Sequence, residues 1–199
     1  MSQFSLLEQC VMLPYNSNVR EHCLSFTCGD TDLDDFFHND AEQYAKELMG
    51  KTYCWITEEK PYRIVALFTI ANDSIKTLHL DKTTRNRLNR PIDNPKRGRS
   101  YPATLIGRIG VNEEFQGMNI GSQLMQFIKD WFRHEDNKTG CRFLVVDAYN
   151  NPRTLRFYER NNFRYLHSDE AEECAYYNIH PDINLATRLM YFDLKKKDQ

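Results

Sequence analysis

The segment that most constrains the fold is a nearly continuous apolar run at Cys141–Ala148, with the sequence CRFLVVDA. A strand that is apolar at successive positions is typical of a strand covered on both faces of its sheet. Helical patterns lie on either side of this run, at about Gly121–His134 and Pro152–Arg160, and the second begins with a proline, which fits the first turn of a helix. The chain therefore predicts an α/β (α+β) fold, in which helices flank a mixed, partly parallel central sheet.

Hydrophobic periodicity predicts the remaining elements. A helix is expected at Thr31–Leu48, and strands are expected at Thr52–Thr57, Ile64–Ala71, Ala103–Val111, Phe163–Leu166 and Arg188–Leu194. The polar segment 81–100 favours a loop, with at most a helical turn near Thr84–Leu88. A chain of 199 residues is long enough for one α/β domain and short for two, so we expect a single domain over residues 1–199.

Composition indicates a globular protein, because 41% of the residues are hydrophobic and 27% are charged. No apolar run approaches the roughly 18 residues that span a bilayer, and the first residues do not resemble a secretory signal. The six cysteines include no C-x-x-C pair, which argues against a zinc site. Three disulfides would be compatible with the count, but free thiols in the cytoplasm are the preferred interpretation.

Charge is unevenly distributed, although the net charge is only −2. Residues 81–100 contain seven Lys or Arg against two Asp, whereas residues 30–42 contain six Asp or Glu and no Lys or Arg. The first segment could contact a polyanion, and the second is interpreted as a solvated helix face with acidic residues at its start. The two segments are also compatible with pairing between two copies of the chain.

The segment Arg108–Ile128 has the pattern of a strand, a short polar turn and a helix. Two glycines, Gly117 and Gly121, lie where the strand leads into the helix. A helix N-terminus carries unpaired N–H groups and partial positive charge, and glycine allows a phosphate to approach them closely. The segment therefore predicts a pyrophosphate site, although neither the phosphate-loop pattern nor the G-x-G-x-x-G fingerprint is present.

Two motifs in this part of the chain resemble one family. Gln116–Gly121 (QGMNIG) is similar to the acetyl-CoA loop Q/R-x-x-G-x-G/A of the GNAT superfamily of N-acetyltransferases, and Asn151–Glu159 (NPRTLRFYE) is similar to its second signature, N-x-x-A-x-x-F-Y-E. The resemblance implies a GNAT-like domain with a splayed parallel strand pair and acetyl transfer from acetyl-CoA to a primary amine. No metal is implied.

Asparagine replaces the usual glycine of the family at two positions, Asn119 and Asn162. Asparagine tolerates the left-handed backbone conformation better than most residues other than glycine. We therefore expect both turns to keep their shape.

The resemblance extends to one branch, the toxins of toxin–antitoxin modules that acetylate the α-amine of aminoacyl-tRNA. The similar blocks are Ser25–Glu47, with the branch pattern F-x-C-G-x-x-x-L-D-x-F, and Tyr101–Val111. This branch implies charged tRNA as the acceptor, contacted through residues 81–100, and an antitoxin protein as a partner. A homodimer is a further candidate assembly.

The family motifs also assign roles to particular residues. Tyr158 would protonate the departing thiolate as the catalytic acid; an ordinary tyrosine pKa of about 10 is compatible with a thiol pKa of about 8.5. Tyr158 could instead be a packed helix residue, and Asn151 could bind pantetheine or only cap a helix. The expected acetyl-CoA contacts are Ile109, Gly110, Val111, Gln116, Gly117, Met118, Asn119, Ile120, Gly121, Ser122 and Asn151.

The sequence leaves the general base and the acceptor open. Glu113 and Glu114 lie beside the loop, but surface solvation explains them as well, and Asp147 at the end of the apolar strand is either functional or hydrogen-bonded. An α-amine with a pKa of about 8 needs less help from a base than a lysine. The competing hypotheses are a tRNA-directed enzyme, an acetyltransferase for a small molecule or a protein, and a non-catalytic coenzyme A-binding module.

Overall fold

The computed structural model describes residues 4–93, 100–137, 139–180 and 182–196. The chain divides into two compact units, one formed by Met1–Ala71 with Ile106–Trp131 and the other by Asn72–Leu105 with Phe132–Gln199. Strands β3 (Ile64–Lys76) and β4 (Ser100–Val111) each contribute residues to both units. The single domain expected over residues 1–199 stays a prediction.

The first unit begins with α1 (Leu6–Gln9), β1 (Cys10–Pro14) and α2 (Ser17–His22). It continues through α3 (Thr31–Asp35), a π-helical turn (Phe36–Asp40), α4 (Ala41–Lys46) and β2 (Lys51–Thr57). After β4 come a 3-10 turn (Glu113–Phe115) and α6 (Ile120–Arg133), whose last two residues belong to the other unit. The strand order in this unit is β1, β2, β3, β4, and the first three pair antiparallel.

The helix predicted at Thr31–Leu48 is present, but its middle is a π-helical turn. The adjacent residues Phe36 and Phe37 are both buried, and the Phe26 and Phe37 rings meet edge to face at 5.8 Å between centroids. In a regular helix two consecutive side chains point about 100° apart. The wider turn brings both rings into the core of this unit, which also contains Val19, Ala41, Cys54 and Leu67.

The second unit contains α5 (Lys82–Asn89), β5 (Phe143–Tyr149), α7 (Pro152–Arg160), β6 (Arg164–Tyr165), α8 (Glu170–Tyr177) and β7 (Thr187–Asp193). Its strand order is β4, β5, β7, β6. The β4–β5 pair is parallel over three residue pairs, from Ala103 with Phe143 to Leu105 with Val145, whereas β5–β7 and β6–β7 are antiparallel. The expected mixed sheet with a parallel pair and flanking helices is therefore confirmed.

The prediction of a loop over segment 81–100 is wrong for the first half of the segment, where α5 forms two helical turns. The Asp81 carboxylate caps this helix by accepting hydrogen bonds from the N–H groups of Thr83 and Thr84, at 2.6 and 3.2 Å. Thr84 and Leu88 are buried. Capping and tertiary packing thus outweigh the weak helical pattern of the segment. Residues 94–99, including Lys96, Arg97 and Arg99, lie outside the described residues.

Four short elements were not predicted, namely α1, β1, α2 and α8. Each of the three helices has eight residues or fewer, and β1 has five. Helices of this length are marginal in isolation and depend on tertiary packing. For α8 that packing includes Glu173, which is buried against β7.

We expect Asp193→Ala to destabilise the protein by about 3 kcal/mol, because it leaves a partly buried cation without its partner. Asp193 is 4% exposed, and its carboxylate oxygens lie 2.9 Å from Nε and Nη2 of Arg142. The measurement is the free energy of unfolding from urea denaturation.

The matched control is Asp136→Ala. Asp136 pairs with His134 at 3.3 Å, but its side chain is 89% exposed, so the expected change is below about 0.5 kcal/mol. Equal effects of the two substitutions would contradict a stabilising role for the buried pair.

Candidate functional site

The chain leaves β4 in a fixed direction because Asn112 is held on several sides. Asn112 is 5% exposed; its side-chain amide donates to the Ile64 carbonyl at 2.9 Å, and its backbone N–H donates to the Val65 carbonyl at 3.0 Å. The Asn112 side-chain oxygen accepts from the Glu114 N–H at 3.1 Å. These bonds direct the short turn that leads towards Gln116.

The block Phe26–Gly29 supports the same turn through its backbone. The Gln116 side-chain amide donates to the carbonyls of Cys28 and Val111, at 2.9 and 3.0 Å, and the Glu113 N–H donates to the Thr27 carbonyl at 2.9 Å. Gly29 has a φ of +79°, and a Cβ there would lie 2.6 Å from a carboxylate oxygen of Glu113. The block that resembles the toxin branch therefore positions the turn, a role that its sequence pattern alone did not reveal.

Part of the acidic run 30–42 is structural and is not only a solvated face. The Asp34 carboxylate accepts hydrogen bonds from the Thr27 hydroxyl at 2.6 Å and from the Cys28 N–H at 2.8 Å. Partial burial raises the pKa of Asp34, but these hydrogen bonds more than offset it, so the pKa is lowered from its usual value. Asp30 caps α3 through the N–H groups of Asp32 and Leu33.

Gly110 marks a close approach of β4 to this block. A Cβ at Gly110 would lie 3.2 Å from the Phe37 ring and 3.3 Å from the Cys28 side chain. Its neighbours Ile109 and Val111 are half-buried at the end of the strand. The three residues expected to offer backbone groups to pantetheine are thus at the terminus of β4, directly before the turn.

The loop Gln116–Asn119 contains two residues with left-handed backbone conformations. Gly117 and Asn119 both take left-handed conformations, with φ of +79° and +61°. Asn119 thus adopts the conformation that the usual glycine would adopt. A Cβ at Gly117 would meet nothing within 4 Å, so the space above the loop is open.

Helix α6 begins directly after this loop. The first intrahelical hydrogen bond joins the Gln123 N–H to the Asn119 carbonyl, at 3.2 Å. The N–H groups of Ile120, Gly121 and Ser122 therefore precede the first helical bond and have no partner within the helix. Together with the helix dipole and the exposed, open loop they form a geometry that fits a pyrophosphate.

The N-terminal segment braces the start of α6. The Gln123 side chain accepts from the Leu6 N–H at 2.8 Å and donates to the Phe4 carbonyl at 2.9 Å. The Phe4 ring lies 5.2 Å from the Phe115 ring. These contacts fix the helix end from the side of α1, which the sequence did not predict.

The two glutamates beside the loop are engaged with other groups in the first unit. Glu114 forms an ion pair with Arg63 at 3.3 Å, with both side chains largely exposed. The Glu113 carboxylate lies beneath Gly29.

The second signature lies in the second unit, where Asn151 caps α7. Its side-chain oxygen accepts from the Thr154 N–H at 2.9 Å, and Pro152 occupies the first turn of the helix. Of the two roles left open for Asn151, capping is therefore directly visible. Asn162, after the helix, takes the expected left-handed conformation with a φ of +63°.

Tyr158 is 5% exposed on the buried face of α7, and its ring packs against Phe157 and Phe163 at 5.1 and 5.5 Å between centroids. Its hydroxyl has no hydrogen-bond partner among the described residues. Burial, together with the negative charge of Asp147, raises the pKa of Tyr158 above its usual value. The hydroxyl is therefore protonated at neutral pH and able to donate a hydrogen bond.

Over the described ranges no group of three His, Cys, Asp or Glu side chains could hold a metal ion, and no helix there is long and apolar enough to cross a membrane. All six cysteines are free thiols.

Comparison with known proteins agrees with both signatures. The model of the Acetyltransferase (GNAT) family matches residues 30–163. A tRNA-acetylating toxin of Mycobacterium tuberculosis (strain ATCC 25618 / H37Rv) is 27% identical over 124 residues, which cover 62% of this chain and 68% of that protein.

Solved structures share the fold at low identity. AtaT complexed with acetyl-methionyl-tRNAfMet superposes with a TM-score of 0.68 at 14% identity, covering 94% of this chain and 95% of that one. A mutant of KacT gives a TM-score of 0.65 at 16% identity, with coverages of 94% and 96%. The expectation of an acetyl-CoA-dependent N-acetyltransferase is confirmed by the match over residues 30–163, and the chain belongs to the acetyltransferase (GNAT) family.

Proposed function

We propose that this chain transfers the acetyl group of acetyl-CoA to the α-amine of aminoacyl-tRNA by direct attack of the amine on the thioester. The observation that carries the cofactor assignment is the start of α6, where unpaired N–H groups follow the left-handed residues Gly117 and Asn119. The acceptor rests on similarity to a tRNA-acetylating toxin and on AtaT, whose structure contains acetyl-methionyl-tRNA.

Ten of the eleven residues assigned to acetyl-CoA fall into two groups, and Asn151 stands apart. The turn from Gln116 to Ser122, comprising Gln116, Gly117, Met118, Asn119, Ile120, Gly121 and Ser122, would hold the pyrophosphate. The backbone of Ile109, Gly110 and Val111 would hold the pantetheine arm. Asn151 already caps α7 with its side-chain oxygen, so any contact with pantetheine would use its amide NH₂ group.

Tyr158 is the proposed catalytic acid. The neutral amine nitrogen bonds to the acetyl carbon, the carbon–sulfur bond breaks, and the sulfur receives a proton from the Tyr158 hydroxyl. The nitrogen loses one proton, and an equivalent proton returns to the tyrosinate. No covalent enzyme intermediate is required, so none of the six thiols is needed as a nucleophile. Holding both substrates in line supplies much of the rate, as in other direct transfers.

Helix α5 is the proposed contact for the tRNA backbone. The sequence suggested the whole segment 81–100 for this role, whereas the proposal uses only cations in or next to the helix. Arg87 donates to the carbonyls of Tyr165 and Leu166 and therefore ties α5 to β6. Lys82 and Arg90 are exposed and Arg85 is half-buried, and none of the three has an ion pair within the described residues. These three cations remain available for phosphates.

A protein partner is also part of the proposal. Solved structures of relatives include AtaT bound to the C-terminus of the antitoxin AtaR and a KacTA–DNA complex. We propose an antitoxin protein as a partner of this chain, and a homodimer as its assembly. Light scattering of the purified protein, alone and with the candidate antitoxin, measures both.

Gly121→Asp is expected to lower the affinity for acetyl-CoA at least about tenfold, because a carboxylate at the second residue of α6 repels a phosphate. The helix itself should tolerate aspartate in its first turn. Isothermal titration calorimetry measures the affinity. Gly140→Asp is the control, because Gly140 is exposed and a Cβ there meets nothing within 4 Å. Unchanged affinity in a folded Gly121→Asp protein would rule out the pyrophosphate assignment.

Tyr158→Phe is expected to lower kcat by about 10²- to 10³-fold with little change in the KM for acetyl-CoA, because the general acid is lost while binding is not. Steady-state kinetics with a charged tRNA acceptor make the measurement. Tyr101→Phe is a matched control, since Tyr101 is also buried and its hydroxyl donates only to Asn89, at 2.6 Å. If both variants turn over normally, Tyr158 is a packing residue.

The triple variant Lys82→Ser, Arg85→Ser, Arg90→Ser is expected to weaken acetylation of charged tRNA and to leave a small amine acceptor unaffected. The dependence of binding on salt should become shallower by about 2 units on logarithmic axes, because released counterions scale with phosphate contacts. Replacing the exposed Lys46, Lys51 and Lys60 removes the same charge elsewhere as a control. Acetylation of a small amine but never of charged tRNA by the wild type would favour the alternative acceptor.

A further inference from the structure

We propose that Asp147 is the group that accepts the proton of the acceptor amine, an assignment that rests on the proposed acetyltransferase function. The sequence left this residue undecided between a functional and a hydrogen-bonded role. Its position on β5, its unpaired carboxylate and its electrostatic neighbours each support the functional one.

Asp147 is placed just beyond the parallel pairing of β4 and β5. The last pair is Leu105 with Val145, and Asp147 lies two residues farther along β5, on the same face of the strand as Val145. Its antiparallel neighbour on β7 is Leu189. Asp147 is the one charged side chain in the apolar strand β5, and it is exposed. The carboxylate therefore lies past the end of the parallel ladder and is accessible from solvent.

The carboxylate of Asp147 is free, whereas that of its acidic neighbour Glu173 is fully used. Glu173 is 1% exposed, and its two oxygens accept from Nε of Arg188 and from the Leu189 N–H, both at 2.6 Å. Asp147 has no hydrogen bond or ion pair within the described part of the chain. Glu173 therefore serves to join α8 to β7, and Asp147 has no comparable structural duty.

The charged and titratable groups that influence Asp147 come from three elements. They are Asp73 of β3, Glu173 and Tyr177 of α8, and Tyr158 of α7. Partial desolvation, then the negative charges of Asp73 and Glu173, raise the pKa of Asp147 above its usual value. A carboxylate with a raised pKa is a stronger base, and it is closer to the neutral pH at which an amine must lose a proton.

The charge of Asp147 changes the acidity of Tyr158 in the direction that the reaction needs. The negative charge of Asp147 raises the pKa of Tyr158. When the carboxylate takes the proton of the amine, that charge disappears and the tyrosine becomes more acidic at the moment when it must donate to the sulfur. The protons balance, because the one held by Asp147 can then return to the tyrosinate and leave both groups ready for another cycle.

The same charges suggest why an aminoacyl ester would be accepted in preference to a free amino acid. Asp73 and Asp147 attract the ammonium form of an α-amine, which loses one proton to solvent before attack and a second proton to Asp147 during transfer. They repel the carboxylate that a free amino acid carries next to its amine, whereas an ester has no such charge. The acceptor chemistry that fits is therefore an α-amine beside an uncharged carbonyl.

The test measures kcat/KM for acetylation of charged tRNA between about pH 4 and about 9 in the full-length protein and in three variants. Asp147→Asn should lower kcat/KM about 10²-fold. In this variant kcat/KM should also no longer show the increase with pH that comes from ionisation of the carboxylate. Asp147→Glu should recover part of the rate. Asp73→Asn removes a charge that favours the protonated form of Asp147, so the rise should move to lower pH.

The acceptor amine contributes the same ionisation to every variant, so differences between the profiles report on Asp147. Asp182→Asn, at a side chain that is 89% exposed, is the control for a lost negative charge. Calorimetry with acetyl-CoA should give wild-type affinity for Asp147→Asn; a parallel loss of binding would indicate a structural role and overturn the assignment. An Asp147→Asn protein within about threefold of wild type, with an unchanged profile, would also overturn it. Those two results leave the proposed function intact, whereas a wild type that never acetylates an amine removes both.

Discussion

The hydrogen bonds that the Thr27–Cys28 segment makes hold the turn from which α6 begins. The carbonyls of these two residues accept from Glu113 and Gln116, and the same residues donate in turn to the carboxylate of Asp34. The support therefore passes from an acidic helix residue, through a short extended block, to the loop that we assign to acetyl-CoA. Hydrogen bonds to a carboxylate are stronger than neutral ones, which suits a segment with little apolar area of its own.

The left-handed residues in the loop follow from this support. Asn119 with a φ of +61° is more costly than glycine in the same conformation, and a fixed turn on its N-terminal side helps to maintain it. Gln123 braces the other side through Phe4 and Leu6. A pre-formed loop loses less conformational freedom when it binds an anion, so this rigidity favours affinity for a pyrophosphate.

In the second unit the organising contact is the buried pair of Glu173 and Arg188. It attaches α8 to β7 and fixes the strand that pairs with β5. The negative charge of Glu173, positioned by this pair, is one cause of the raised pKa of Asp147, after desolvation and the charge of Asp73. The Glu173 side chain that forms this ion pair thus affects the pKa of Asp147, which we propose to be functional. The charge of Asp147 in turn affects the pKa of Tyr158.

The sequence by itself determined the family, the mixed sheet and the two signatures, because strand and helix periodicity in residues 103–160 is strong and the motifs are local. It also determined the left-handed turns at Asn119 and Asn162, which depend only on residue type and neighbours. The tertiary structure decided what depends on contacts between distant segments. Examples are the helix at Lys82–Asn89, the use of Arg87 as a tie to β6, and the support of Gln116 by Cys28, 88 positions away. The different partners of Asp147 and Glu173 are another example, because two carboxylates look alike in a sequence and differ in the contacts that the fold gives them.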